Sequence, residues 1–504
     1  MRAAAVAKGV PVKRVIPAKA GLSWKKIPAF AGMTTTAGML NFWLPETPGA
    51  NAMSYEGPAI DLTDRIDDRV ESDHEFRLHR SIFEDSDIYN AEMEFCFERV
   101  WNFLCHESQV PNPGDYYATY IGDQPVFVHR QEDGSVKAFL NACSHRGAII
   151  TPFKLGNAKT LTCRFHGWSY RCSGECIGIK NEEGGYGGDF DRSHYDLPQL
   201  AHVGEYRGFI FGALYDGVPT LDEHLDEAKF FIDLFADQSP DGLEMVAGSQ
   251  TYVCDHDWKV QADNVTDGYH VSTVHRNFMN TILAREAREQ TEGLLKTEVG
   301  RIKGGVKNGM YYLGGGHMCI WADRSTPEGA PLAPATDYIN ANFDEVKAHW
   351  MLRRGRNIIV FPNLVLNDLA STHLRTHRPL GPGKCEVTIW CIAPKKEPKE
   401  ARFARLRKFE DFFLVSGLST SDDVVSLDTA QEGFHGGEAG WNNYDRGLST
   451  MRAGPDEEAK KAGINPELHC DSWDYEAAFV GWYRHWRKLV EQGTKASASQ
   501  IASE

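Results

Sequence analysis

Two short pairs of metal-binding residues constrain this chain more strongly than any other feature of its sequence. Cys143 and His145 form a CxH pair, and Cys163 and His166 form a CxxH pair. Each pair follows a predicted strand, and residues 146–162 separate the two pairs. Thiolate and imidazole groups at such spacing bind metal ions. The sequence therefore predicts a β-rich region in which two loops hold a metal centre between them.

The residues around the two pairs distinguish between the metals that these ligands could bind. Two thiolates and two imidazoles could hold one tetrahedral zinc ion. The contexts CSHRG at 143–147 and CRFHGW at 163–168 instead resemble the two loops of a Rieske [2Fe-2S] cluster, in which two Cys hold one iron and two His hold the other. Respiratory Rieske proteins carry an extra, disulfide-forming cysteine in each loop, and neither loop has one here. The resemblance is therefore to Rieske oxygenases.

A second group of metal-binding residues lies in the segment 258–276, WKVQADNVTDGYHVSTVHR. Apolar residues at helical spacing predict a helix over its first half. Asp267 and His270 are three residues apart and would share one face of that helix. His275 is five residues beyond His270, which places it roughly 140° further around an ideal helix. The two histidines can share a metal only if the helix ends or bends between them.

This segment resembles the mononuclear iron motif of aromatic-ring dioxygenases, especially those of the benzoate, toluate and anthranilate branch. The resemblance implies that His270 and His275 bind Fe(II), and that the distal segment LSTSDDVVSLDTAQ supplies Asp423 as the third ligand. Two His and one carboxylate leave positions on the iron open for O₂. From the residues alone, Ser421 would cap a helix and both acids would favour its N-terminal dipole, with Asp422 as the alternative ligand.

The same resemblance implies how the two metal centres communicate. Asp267 would contact His270 and bridge it to His166 of a neighbouring subunit, because the two metals of one chain are too far apart for efficient electron transfer. Catalysis would then require a closed homotrimeric ring. The alternative interpretation of Asp267 is an ordinary acid on a helix surface.

The resemblance also implies an α+β fold, in which a mostly-β Rieske domain accompanies a helix-grip catalytic domain with an antiparallel sheet. The predicted segments are an N-terminal part of the catalytic domain at 53–90, the Rieske domain at 91–215, the catalytic domain at 216–492 and a tail at 493–504.

Local patterns add expectations about single elements. The segment 207–215 is typical of a strand, and the segment 221–238 is typical of one amphipathic helix. Further helices are predicted over 399–416 and 474–492. Gly, Met and Trp cluster in 304–334, which predicts a loop that influences substrate preference.

The N-terminus differs in composition from the rest of the chain. Residues 1–45 contain seven Lys or Arg and no Asp or Glu, as organelle targeting peptides do. Ser is nearly absent, however, and no amphipathic pattern is evident. Residues 1–52 are therefore interpreted as a mis-called extension of the gene, with Met53 as the true start and a targeting peptide as the alternative.

Composition excludes several classes of protein. The net charge of -16 argues against nucleic-acid binding, which needs a clustered basic surface. No stretch approaches the ~18 to 20 consecutive apolar residues of a membrane-spanning helix. The eleven cysteines are scattered and odd in number, which favours a reducing cytoplasm over a disulfide-bonded secreted protein.

The resemblance as a whole implies the large subunit of a multicomponent ring-hydroxylating dioxygenase. Electrons from NADH would pass through a flavin or iron–sulfur reductase, and in some systems a ferredoxin, to the [2Fe-2S] cluster and then to Fe(II), where O₂ is added to an aromatic carboxylate. A small β subunit is expected beside the large one. The alternatives are a Rieske monooxygenase without a small subunit and a pure electron-transfer protein, which would not need all of His270, His275 and Asp423.

Candidate substrate contacts follow from the carboxylate hypothesis, because arginine binds carboxylates through two parallel hydrogen bonds. Arg276 directly follows the second iron-binding histidine, a position where the benzoate branch typically has Trp. Arg354 and Arg356 are further candidates, and Asn264 is the candidate polar contact from the iron motif.

Overall fold

The computed structural model describes residues 55–501 apart from 188, 291–305, 325–329 and 437–439. The predicted extension at 1–52 and the candidate start Met53 lie outside the described residues. Within the described chain, helices alternate with antiparallel strands, which confirms the predicted α+β class.

The strands of the described chain form five antiparallel sheets. In chain order they are β1 Ile66–Arg69, β2 Glu75–His79, β3 Asn102–His106, β4 Asp115–Ile121, β5 Gln124–Arg130, β6 Val136–Leu140, β7 Leu155–Asn157, β8 Thr160–Thr162, β9 Ser169–Arg171, β10 Cys176–Gly178, β11 His202–Tyr206, β12 Phe209–Ala213, β13 Leu243–Met245, β14 Gln250–Cys254, β15 Asn308–Gly314, β16 His317–Asp323, β17 Arg354–Val360, β18 Leu364–Asn367, β19 His373–Gly381, β20 Lys384–Pro394, β21 Trp441–Asn443, β22 Arg452–Ala453 and β23 Leu468–Cys470.

The α-helices of the described chain flank these sheets. They are α1 Val70–Asp73, α2 Ser86–Glu92, α3 Glu182–Tyr186, α4 Leu221–Leu225, α5 Ala228–Ala236, α6 Trp258–Val265, α7 Val271–Val274, α8 Arg276–Ala287, α9 Thr336–Asn342, α10 Glu345–Arg353, α11 Lys399–Lys408, α12 Thr420–Phe434, α13 Glu457–Ala462 and α14 Ala477–Ile501. In this part of the chain, no helix is both long enough and apolar enough to cross a membrane.

The two metal-binding pairs lie at the ends of two small sheets. Strands β6, β5, β4 and β7 form one sheet in that order, and β10, β9 and β8 form the other. The CxH pair follows β6 and the CxxH pair follows β8, as predicted. Both loops pack on one buried core, which includes Phe127, Phe139, Leu161, Trp168 and Tyr170.

A ten-stranded sheet dominates the second half of the chain. Its order is β13-β20-β19-β18-β17-β16-β15-β23-β22, and β14 also pairs with β20. Successive residues of β15 enter opposite cores, since Met310 and Tyr312 join the core shared with α6 and α14, whereas Tyr311 joins the core shared with α5. Both faces of the sheet are therefore covered.

The prediction of a loop at 304–334 is wrong for the central part of that segment. Strands β15 and β16 pair there as an antiparallel hairpin, and its turn contains Gly314, Gly315 and Gly316, all at positive φ. A strand buried on both faces shows no polar alternation, so the sequence pattern did not reveal it. Residues 304–305 and 325–329 of the segment lie outside the described residues.

Three predicted helices differ in extent from the observed ones. The segment 221–238 contains two helices, α4 and α5, because Asp226 between them adopts a φ of 35°. The helix predicted to end at 416 ends at Lys408 and continues as a π-helical turn, Phe409–Phe413. The last helix runs on to 501, so most of the predicted tail is helical.

Helix α6 is anchored by a buried ionic cluster at its start. Asp257 caps the helix by accepting from the backbone N–H of Lys259. The Lys259 ammonium lies 2.7 Å from a carboxylate oxygen of Glu92 in α2 and 2.9 Å from Asp257. Glu92 also accepts from the indole of Trp486 in α14. These contacts fix the element that leads into the predicted iron motif.

Candidate metal centres and active site

The CxH and CxxH loops share one turn geometry. In the first loop, the N–H of Gly147 donates to the carbonyl of Cys143 at 2.8 Å. In the second, the N–H of Gly167 donates to the carbonyl of Cys163 at 2.9 Å. Both glycines have positive φ, 68° and 80°, which strongly favours glycine at these positions. Each turn therefore holds one thiol and one imidazole in a matched arrangement.

The thiols of these loops face inward and the imidazoles lie at the rim. Cys143 and Cys163 are buried, whereas His145 and His166 are partly exposed, with ring centroids 4.6 Å apart. The ring of His145 stacks on Trp168 at 4.8 Å. A metal centre held here would be shielded on its thiolate side and accessible on its imidazole side.

The arrangement of these four donors fits a binuclear cluster. Nδ1 of His145 is buried without a hydrogen-bond partner among the described residues, and Nε2 of His166 accepts from Arg146. In the part of the chain that the structure describes, two sets of three donors lie within 4.8 Å of one another, and the Cys143 and Cys163 loops contribute to neither. One tetrahedral zinc ion would require such convergence, so the zinc alternative is not favoured.

In the predicted iron motif, the first helix ends earlier than the sequence predicts. Helix α6 ends before Asp267, and α7 begins only after His270. Asp267 and His270 therefore lie in the turn between two helices, not on one helical face. The second break follows α7, where His275 leads into α8. The two histidines flank a single helical turn, and this brings their rings to 5.2 Å between centroids.

The first turn of α12 brings the predicted carboxylate to the two histidines. Oδ1 of Asp423 lies 3.5 Å from Nε2 of His270 and 3.3 Å from Nε2 of His275. Asp422, the alternative ligand, is not part of this group. Helix α12 begins at Thr420, so Ser421 lies inside its first turn and is not the cap that the sequence predicts.

The Asp423 carboxylate is suited to a divalent cation. Its Oδ1 is buried and accepts no hydrogen bond from the described residues. Burial raises the pKa of Asp423 to about 6, although His270, Arg375 and a hydrogen bond from Asn264 act in the opposite direction. A buried acceptor beside two imidazole nitrogens fits the two-His, one-carboxylate set that binds Fe(II).

Both histidines are oriented through their other ring nitrogen. Nδ1 of His275 lies 2.9 Å from the hydroxyl of Ser419, to which it can donate. Nδ1 of His270 lies 3.2 Å from Oδ2 of Asp267, whose Oδ1 accepts from the backbone N–H of Tyr269. Burial lowers the pKa of His275 to about 3, whereas the Asp267 and Asp423 carboxylates outweigh burial and raise the pKa of His270. Each Nε2 is thus left for a metal.

A largely apolar cavity adjoins these three side chains. Its apolar walls include Val271, Phe278, Met279, Ile320, Leu369, Phe412 and Trp473. Two guanidinium groups, Arg324 and Arg375, also line it. Arg324 is held by the backbone carbonyls of Asp368 and Leu369. Arg375 is buried, its Nε has no hydrogen-bond partner, and it makes no ion pair with the described residues.

Most of the predicted substrate contacts lie elsewhere. Asn264 lines the cavity, but Arg276 is exposed and does not. Arg354 and Arg356 are buried in internal ion pairs, Arg356 with Asp368 and Arg354 with two other carboxylates. Their charges are paired within the protein and are not available to a ligand in this cavity.

Sequence reasoning missed two side chains of this site. Arg375 lies in β19, in the run HLRTHR, where a guanidinium interrupts a buried strand and could have been recognised for that reason. Ser419 precedes the Asp-Asp pair by three residues, and no local pattern indicates that its hydroxyl meets His275 from 144 residues away.

Two protein-family models match the regions that contain these sites. One, described as a Rieske [2Fe-2S] domain, matches residues 100–196. The other, described as the ring hydroxylating alpha subunit (catalytic domain), matches residues 244–461.

Curated proteins similar to this chain over nearly its whole length are dioxygenase large subunits. Toluate 1,2-dioxygenase subunit alpha of Pseudomonas putida is 41% identical over 444 residues, which cover 87% of this chain and 97% of that protein. The 2-halobenzoate 1,2-dioxygenase large subunit of Burkholderia cepacia is 38% identical, with 84% and 90% covered. The anthranilate 1,2-dioxygenase large subunit of Acinetobacter baylyi is 36% identical, with 85% and 93% covered.

Solved structures show the same architecture. Naphthalene 1,2-dioxygenase from Rhodococcus sp., bound to indole, superposes with a TM-score of 0.72 at 26% identity, covering 84% of this chain and 96% of that one. A quaternary ammonium Rieske monooxygenase superposes with a lower TM-score of 0.58 at 15% identity. The similarity is therefore greater to the dioxygenase.

Proposed function

The chain belongs to the family of Rieske-type ring-hydroxylating dioxygenase large subunits, and from that premise we propose that its substrate is an aromatic carboxylate. The observation that carries this proposal is the buried guanidinium of Arg375. It lines an apolar cavity beside the predicted iron ligands and makes no ion pair among the described residues, although its charge acts on the nearby Asp423 carboxylate. A flat apolar ring with one anionic group would satisfy both the walls and the charge.

We propose that Cys143, His145, Cys163 and His166 hold the [2Fe-2S] cluster and that His270, His275 and Asp423 hold Fe(II). The cluster supplies electrons one at a time, and the iron supplies the site at which O₂ reacts. The chain contributes orientation and exclusion of water. The hydroxyl of Ser419 contacts the His275 ring, the carboxylate of Asp267 lies 3.2 Å from the His270 ring, and apolar side chains line the cavity.

The names of the relatives support a position for the carboxylate near the iron. Toluate and anthranilate 1,2-dioxygenases are named for carbons 1 and 2, and carbon 1 of those acids carries the carboxylate. The same reaction here would require a cation next to the iron ligands. Arg375 meets that requirement, since its charge lowers the pKa of Asp423. We assign it as the main carboxylate contact, with Arg324 as the second cation of the cavity.

We also propose that electrons cross between subunits of a homotrimeric ring. Among the described contacts, none joins His166 to Asp267 within the chain. Around His166, Arg146 and Arg164 are exposed, together with apolar side chains such as Phe153 and Phe165.

Around Asp267 acidic groups predominate, and Arg446 lies beside them over the ring of Tyr269. Asp474 and Glu476 lie close enough that, together with burial, the Asp267 carboxylate raises the pKa of each. Complementary charge of this kind favours docking of the CxH and CxxH loops of one subunit (the Rieske loops) on the turn that contains Asp267 in the next subunit. An NADH-dependent reductase and a small β subunit complete the proposed system.

The carboxylate contact can be tested with one substitution and a matched control. Arg375→Gln removes a charge-assisted hydrogen bond worth about 1.5–3 kcal/mol, so the KM for benzoate-type acids should rise roughly 10-fold or more. Arg276→Gln, an exposed arginine outside the cavity, should leave KM unchanged. Substrate-dependent O₂ and NADH consumption by the reconstituted enzyme measures both.

Two results would reject this proposal. One is an unchanged KM for every acid in Arg375→Gln with normal iron content. The other is a wild-type enzyme that turns over naphthalene or biphenyl faster than all the aromatic acids tested, because a buried unpaired cation disfavours a neutral ligand.

A further inference from the structure

A third set of metal-binding side chains lies outside both centres described above. Cys254 at the end of β14, Cys385 in β20 and His256 just beyond β14 are all buried. One ligand atom from each lies within 4.8 Å of the others. Cys254 and Cys385 are directly opposite each other in the β14–β20 pairing, and both are free thiols.

A carboxylate and an amide contact the histidine of this cluster, and Nε2 of His256 lies 3.3 Å from Oε1 of Gln261. Oδ1 of Asp428 in α12 accepts from Nδ1 of His256 at 2.7 Å and from the backbone N–H of Asp255 at 3.0 Å. Asp428 is about one-third exposed and lines a surface cavity that also contains Glu84, Asp255 and Glu432. Three further acidic residues therefore line the same surface cavity as Asp428, whose carboxylate contacts His256.

We propose that Cys254, Cys385 and His256 bind a structural zinc ion, with Asp428 supporting the histidine or supplying the fourth ligand. Two thiolates, one imidazole and one further donor form a typical structural zinc set. Sulfur ligands favour zinc over magnesium or calcium, and such a set binds Zn²⁺ more tightly than Fe²⁺.

The position of this zinc site links it to the catalytic iron site. Helix α12 carries both Asp428 and the predicted iron ligand Asp423, five residues apart. His256 lies two residues before α6, the helix that leads into the turn containing His270. A metal at this cluster would therefore connect the sheet to both elements that supply iron ligands.

The test uses the full-length holoenzyme purified without chelators. We expect about one zinc per chain by elemental analysis, with two sulfur neighbours at about 2.3 Å in zinc-edge X-ray absorption. Cys254→Ser and Cys385→Ser should each lose most of this zinc. Cys391→Ser is the matched control, because Cys391 is also buried in β20 but belongs to no set of three donors in the described chain.

Two further variants test whether the measured zinc occupies the [2Fe-2S] site or the mononuclear iron site instead. Cys163→Ser should lose the Rieske signal in electron paramagnetic resonance and keep this zinc, and Asp423→Asn should lose mononuclear iron and keep it as well. The zinc-edge X-ray absorption spectrum of the wild-type protein tests the proposal even if the cysteine variants fail to fold. The proposal is overturned by a zinc shell without sulfur, by zinc that survives in folded Cys254→Ser, or by a Cys254–Cys385 disulfide in a protein that takes up no zinc.

Discussion

Asp423 has a buried oxygen that accepts no hydrogen bond from the described chain, and such a group is costly unless a ligand completes it. The same holds for Nδ1 of His145 in the Rieske loops. At both positions the unsatisfied atom belongs to a residue that the sequence predicts as a ligand. Arg356, a predicted substrate contact, is instead buried in an ion pair with Asp368 outside the cavity.

The two centres should be separable by single substitutions. Cys163→Ser should abolish the Rieske signal in electron paramagnetic resonance, because a hydroxyl does not replace a thiolate on iron. His275→Ala should spare that signal and remove the mononuclear iron, lowering total iron from about three to about two per chain. Retention of all the iron in His275→Ala would remove that residue from the ligand set.

Lys259 allows a stability prediction. Its ammonium is buried between Glu92 and Asp257, so Lys259→Met leaves two carboxylates without a counter-charge. The free energy of unfolding should fall by about 3–5 kcal/mol. Lys229→Met, which breaks a solvent-exposed pair with Asp222, should cost no more than about 1 kcal/mol. Urea unfolding of the two variants makes the comparison, and equal effects would contradict it.

The turn between α6 and α7 is the element on which the iron site depends. Its Gly268 donates its N–H to the carbonyl of Trp473, and a Cβ on this residue would lie 2.5 Å from that oxygen. The turn that follows the helix is therefore held by a contact with a residue 205 positions away. Helical spacing in the sequence predicts only that a break is needed for His270 and His275 to meet.

Substitution of this glycine should damage the iron site selectively. Gly268→Ala must shift the turn that carries Asp267 and His270, so the mononuclear iron content should fall severalfold while the Rieske signal is kept. Gly433→Ala in α12 is the control, since nothing lies within 4 Å of a Cβ added there. Normal iron content in Gly268→Ala would show that the turn tolerates the displacement.

The sequence predicted those elements that depend on neighbouring residues in the chain. The strands before Cys143 and Cys163 and the loops themselves follow from alternation and glycine. Elements determined by distant contacts were not predicted. The β15–β16 hairpin is buried on both faces, and Arg375 reaches the cavity only through the pairing of β19 within the ten-stranded sheet.

At the scale of the whole molecule, the Rieske loops expose Arg146 and Arg164, acidic groups predominate around Asp267, and both surfaces expose apolar side chains. Phe153 and Phe165 are 59% and 60% exposed on one side, and Tyr269 is 51% exposed on the other. Large apolar side chains exposed in this way mark protein interfaces. A head-to-tail contact between the two surfaces generates a ring if the rotation closes, and a filament if it does not.

Subunit mixing tests this ring directly. Chains with Cys143→Ser lack a cluster, and chains with His270→Ala lack the catalytic iron, so each variant alone should be inactive. In trimers assembled from equal amounts, three rings in four are mixed, and each mixed ring has one junction at which a cluster faces an iron. Activity should therefore return to about a quarter of the wild-type value.

Asp267→Asn supplies a matched control because its effect depends on the chain that carries it. Added to the Cys143→Ser chain, which has the working iron, it should abolish the recovered activity. Added to the His270→Ala chain, it should change nothing. Mixed rings verified by mass that stay inactive, or a loss of activity from both placements, would exclude electron transfer across the junction through Asp267.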